Sequence, residues 1–99
     1  MEFPHRWVVL KIGEIYKVLG AWRGSYLEGE SWRLNSGIVN VTKDNDNFIF
    51  HGHSGSQYVC HKDCYGTSTL SYSIFEQIKE LEPSTCILVE NTDWLKLLD

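Results

Sequence analysis

Residues 7–22 read as a β-hairpin, and this feature constrains the rest of the chain most. Val8, Leu10 and Ile12 fall on one face at period two, Gly13-Glu14 offers a two-residue turn in which glycine supplies the positive φ, and Ile15 to Trp22 returns as the second strand. The chain has 99 residues, room for one core, so 1–99 is expected to form a single domain with 1–6 as a short tail. A 42% apolar and 22% charged composition fits a globular domain rather than a disordered or fibrous one.

The hairpin sets a strand-rich pattern. Ser31 to Thr42 reads as a third strand interrupted at Ser36-Gly37, where glycine suggests a bulge or close backbone approach. Lys43 to Asn47 has turn composition, a fourth strand starts at Phe48, and a fifth runs from Gln57 to His61 after the Gly52–Ser56 break. Ser73 and Glu76 fit a capping box for a helix near residues 73–82, with Ile74, Ile78 and Leu81 as its buried stripe and Pro83 as its stop. Thr85 to Glu90 reads as a last strand, and Trp94 to Leu98 as an apolar segment that docks on the core. The expected fold is therefore α+β: a mostly antiparallel, curled or barrel-like sheet of five or six short strands with one helix.

Thirteen Asp and Glu against nine Lys and Arg give a net charge of −4, which removes the broad basic footprint needed for duplex nucleic acid. The apolar runs are far below the roughly 18–20 residues that cross a bilayer, and no export signal is visible, so the expected location is cytoplasmic, without membrane partners. Three cysteines without such a signal read as reduced thiols.

Three stretches carry candidate chemistry. Gly52-His53-Ser54-Gly55-Ser56 superficially resembles an esterase nucleophile elbow, but Ser56 stands where the second glycine belongs and the flanks look antiparallel. Its small residues suit a hairpin connection, or a cradle whose backbone N–H groups and hydroxyls hold phosphate. His51, His53, Cys60, His61 and Cys64 are zinc-type ligands, yet Cys60 and Cys64 enclose three residues and no second cysteine knuckle follows, so no metal or other cofactor is assigned. In the third stretch, Trp22 to Gly37, Trp and Tyr beside Arg suit base stacking while Arg and Asn reach phosphate and base edges; core packing is the competing role for each Trp.

The segments Ser31-Trp32-Arg33-Leu34-Asn35-Ser36-Gly37-Ile38 and Gly52 to Lys62 resemble small accessory proteins of tailed bacteriophages that have no assigned activity, with similarity over about Trp7 to Gly66. The resemblance implies a viral protein acting in the cytoplasm of its host cell, with host-defence evasion as its use; it carries over no residue roles.

The leading expectation is a non-enzymatic module that binds a phosphorylated small molecule such as a nucleotide. Arg23, Arg33 and Lys62 would neutralise phosphate, Ser54, Gly55 and Ser56 would donate hydrogen bonds, Trp32 or Tyr58 would stack the base, and Tyr26 and Asn35 would complete the pocket. The alternative is an inhibitor that grips a host protein through an acidic surface including Glu28 and Glu30. An unprotected sheet edge would also allow a homo-oligomer.

Overall fold

A computed structural model of the chain describes residues 1–24 and 29–99. Its elements are β1 (Arg6–Ile12), β2 (Ile15–Trp22), β3 (Ser31–Leu34), β4 (Ile38–Asp44), β5 (Asn47–Gly52), β6 (Gln57–His61), α1 (Thr69–Leu81) and β7 (Cys86–Ile87). The fold is α+β. The strands form two antiparallel sheets, ordered β3-β2-β1-β7 and β4-β5-β6, rather than one sheet curled toward a barrel. The sequence break at Ser36-Gly37 makes the difference, because there the chain leaves the first sheet and starts the second.

The hairpin is as expected, with Ile12 opposite Ile15 across Gly13 (φ 60°). Its first strand is buried on both faces: Trp7, Val8, Val9 and Leu10 are each at most 1% exposed. Trp7 and Val9 face the three-stranded sheet and join Val18, Ile38, Phe50, Tyr58, Cys60 and Trp94. Val8 and Leu10 face α1 and pack with Leu19 and Phe75. The molecule is thus three layers, helix on sheet on sheet, with β1 at the centre.

α1 begins four residues before the expected start. Ser68 and Ser71 cap it reciprocally: the Ser71 N–H donates to Ser68 Oγ at 3.1 Å and the Ser68 N–H to Ser71 Oγ at 2.8 Å. Serine takes the role expected of Glu76, and Ser73 lies exposed inside the helix. The buried stripe is Ser71, Phe75 and the partly buried Ile74 and Ile78, while Leu81 is 83% exposed. The last strand is also shorter than expected, since only Cys86 and Ile87 pair with β1. Trp94 docks on the core, as its apolar segment requires.

Residues 1–6 are not a free tail. The Glu2 N–H donates to the Gln57 carbonyl and the Val59 N–H to the Glu2 carbonyl, both at 2.8 Å, so the segment runs parallel to β6 and Pro4 is buried. Among the described residues no helix is long and apolar enough to cross a membrane.

Tyr65 ties the layers together. Its hydroxyl accepts the Val9 N–H at 3.2 Å and donates to the Leu88 carbonyl at 2.5 Å. Burial raises its pKa to about 12, against the lowering effect of the Val9 N–H. The folded value then exceeds the unfolded one of about 10, so this group's contribution to stability is complete below pH ~10 and is lost as pH rises toward 12. Urea midpoints are expected to fall over that window, and the fall should be visibly shallower in Tyr65→Phe; identical profiles would refute the linkage.

Candidate functional site

The residues expected to form one pocket are distributed over several surfaces. At the β5–β6 turn the backbone N–H groups of Gly52, His53, Ser54 and Gly55 are already engaged. The Gly52 and Gly55 N–H groups donate to the Ser56 and Gly52 carbonyls (2.8 and 3.0 Å), His53 N–H to the Gly37 carbonyl (2.8 Å) and Ser54 N–H to Ser36 Oγ (2.9 Å). This loop, with Ser54, Gly55 and Ser56, is a hairpin connection fastened to the β3–β4 crossover rather than a cradle of free amides.

Lys62 sits at the opposite end of β6. Five residues at ~3.4 Å each set it about 17 Å from that turn, and its ammonium pairs with Asp46 at 3.4 Å. Asn35 is 3% exposed and prolongs β3: its N–H donates to the Val18 carbonyl at 3.0 Å and its Oδ1 accepts the Val18 N–H at 2.9 Å. Tyr58 is a core residue packed near Trp22, and its hydroxyl is pushed up first by burial and then by Glu2, with Arg33 acting in the opposite direction. Arg33 itself pairs with Glu2 at 3.4 Å. Tyr26 and Glu28 lie outside the described residues.

Trp32 and Arg33 are neighbours in β3 and therefore project to opposite faces. Arg33 turns toward the three-stranded sheet, whereas Trp32 shares the helix side with Leu34 and is 42% exposed. The two expected partners cannot meet one ligand there.

A different grouping emerges on the helix side. Arg6, Ala21 and Trp32 stand directly opposite one another on β1, β2 and β3, a single row about 10 Å wide at the usual strand spacing. Beside it lies a small pocket of about 40 Å³ lined by His5, Arg6, Ala21, Trp22, Arg23, Glu30 and Ser68. Ser68 is the N-cap of α1, an end that carries free amides and partial positive charge. His5 Nδ1 accepts the Arg23 N–H at 2.7 Å, so in the neutral ring the proton is on Nε2, which becomes a donor. The Arg6 guanidinium donates to the Tyr65 carbonyl at 3.2 Å and lies over Gly66, whose φ of 140° and lack of Cβ leave it room. Among the described residues neither Arg6 nor Arg23 forms an ion pair, unlike Arg33 and Lys62. Among the described residues Glu30 is the one carboxylate of the rim, against two guanidiniums.

Arg6 and His5 were not legible as site residues, because composition alone put them in a tail. Nucleophilic chemistry has little support. Cys60 is fully buried, and burial, with Cys64 adding to it, raises its thiol well above the ordinary value, which leaves it protonated and inert. His51 and Cys60 lie on opposite sides of their sheet, His51 outward against Thr42 at 3.1 Å and Cys60 in the core. Among the described residues no three His, Cys, Asp or Glu side chains converge as metal ligands.

The fold and this grouping define an α+β sandwich with a cationic, aromatic-flanked pocket at its helix N-terminus. No family model, curated protein or solved structure matches the chain.

Proposed function

We propose that the chain is a non-enzymatic module that binds a phosphorylated small molecule with a planar ring, a nucleotide in class, at the Arg6–Ala21–Trp32 row. The observation that carries the reading is the convergence of two guanidiniums that form no ion pair among the described residues, the α1 N-terminus and an exposed indole on one face. Arg6, Arg23 and the helix amides suit phosphate; Trp32 suits the base; His5 Nε2 and Glu30 suit the sugar and ring edges. Of the residues expected from sequence, this reading retains Arg23 and Trp32, sets aside Arg33, Asn35, Ser54, Gly55, Ser56, Tyr58 and Lys62, and adds His5, Arg6 and Ser68; Tyr26 lies outside the described residues. The setting, a phage accessory protein in a host cell, rests on the resemblance of residues 31–38 and 52–62 alone.

Titration calorimetry and tryptophan fluorescence with linear and cyclic nucleotides test the reading. Binding should quench Trp32. Charge-assisted hydrogen bonds contribute about 1.5–3 kcal/mol each and a base stack about 1–3 kcal/mol, so Arg6→Ala, Arg23→Ala and Trp32→Ala should each weaken binding by roughly 10- to 100-fold. Lys62→Ala and Ser54→Ala should leave it unchanged. Absence of heat and quenching with every nucleotide at millimolar concentration, or equal losses in the Lys62 variant, would reject the proposal.

A further inference from the structure

A second concavity lies at the other end of the β1–β2 hairpin, where the two sheets part. It is a cleft of about 420 Å³ that brings together the Glu14–Tyr16 turn, Gly37 to Val39, His53 and residues 97–99. Its lining is mixed, with the aliphatic side chains of Ile15, Ile38, Val39, Leu97 and Leu98 beside Tyr16, Ser36, His53 and two carboxylates. Ile15 and Val39 are 52% and 55% exposed, and Leu98 is 45% exposed, so the apolar lining faces water. Its charge is opposite to that of the pocket beside α1. Glu14 and Asp99 supply carboxylates, and among the described residues no lysine or arginine lines it; Lys11, opposite Tyr16 across the hairpin, holds its ammonium 5.9 Å from that ring's centroid. A phosphorylated ligand would meet those carboxylates, whereas an apolar group beside a cation complements both features.

The cleft also reaches Ile38 and Val39 at the start of β4, an edge strand of its sheet. Edge strands present unpaired backbone groups that another extended chain satisfies in register. Two features restrict this to the first residues of β4: the register shifts between Ile38 and Asn40, and Asn40 Oδ1 already accepts the Val41 N–H at 2.9 Å. The room for pairing is therefore short and lies beside the cleft.

We infer that this cleft is a docking site for an extended polypeptide segment of a partner protein, in which an apolar side chain enters between Ile15, Val39 and Leu98 and an adjacent lysine or arginine meets Glu14 and Asp99. The site is separate from the proposed nucleotide pocket and does not depend on it.

The test uses the full chain, isotopically labelled for NMR, and an acetylated, amidated hexapeptide of alternating leucine and lysine. Amide shifts are expected at Ile15, Gly37, Val39 and His53, with affinity at least tenfold weaker for Glu14→Lys and for a leucine–glutamate peptide. Glu14 is exposed in a turn, so the variant should keep the wild-type circular dichroism and the wild-type response to nucleotides. The inference is overturned by absent shifts at millimolar peptide, by equal binding of the glutamate peptide, or by nucleotide-induced shifts at the same amides. Concentration-dependent dimerisation in sedimentation velocity that Val39→Asp abolishes would assign the cleft to a second copy and overturn it equally.

Discussion

Trp7→Ala is expected to remove about 3–5 kcal/mol of stability, the range for truncating a large buried aromatic side chain. Trp7 is 1% exposed and sits among Tyr65, Phe50 and Trp94, with ring centroids 4.7, 5.3 and 5.4 Å away. Its indole N–H also donates to the His61 carbonyl at 2.7 Å, so truncation leaves a cavity and a part-buried acceptor without its donor. Small domains have about 5–15 kcal/mol in all, so much of the margin disappears. The urea midpoint should fall accordingly, and Trp7→Phe should restore part of it by refilling the cavity without the N–H. A fall of less than about 1 kcal/mol in Trp7→Ala would contradict the central place given to this side chain.

Phe75→Ala should have a loss of similar size with a different signature. Phe75 is the most buried aromatic of α1 and packs with Val8, Leu10 and Leu19. A helix of 13 residues is marginal in water without tertiary contacts, so losing this anchor should loosen α1 before the sheets. The expected result is a reduced helical signal at 222 nm under conditions where Trp7 fluorescence remains native. Because Ser68 at the helix start lines the cationic pocket, affinity for a nucleotide at the proposed site should fall with it. An intact helical signal and unchanged affinity would mean that α1 is held by other contacts.

Much of the fold was legible because the local signals were backbone signals. Gly13-Glu14 between two apolar runs, the Asp/Asn cluster that turns at Asn45 with φ 54°, and Pro83 beyond the helix each act through the chain's own dihedral preferences. The partition into two sheets was not legible. Ser36-Gly37 marks an interruption, but whether strands on either side of a break share a sheet is decided by what they bury, and Ile38 packs with Phe50 while Leu34 packs toward Phe75.

The site was read less well for the same reason. Sequence proximity joined Trp32 to Arg33, although alternation along a strand separates them, and Arg6 joined Trp32 only through the register of three strands. Asn35 looked like a ligand contact and is a strand extension, a role visible only once Val18 lies beside it. The Ser68–Ser71 cap was missed because glutamate at Glu76 gave the more familiar capping pattern.

The central strand also has a history in time. Along one edge β1 meets residues that follow it almost at once, while its other edge is completed by Tyr65-Gly66 and by Cys86-Ile87, from the later part of the chain. Closing loops of that length is slow compared with forming a hairpin. During synthesis and refolding, a strand apolar on both faces therefore waits with one side open, and neighbouring chains compete for it. The yield of native molecules is therefore expected to depend on how quickly that edge is sealed as well as on how firmly the hairpin holds.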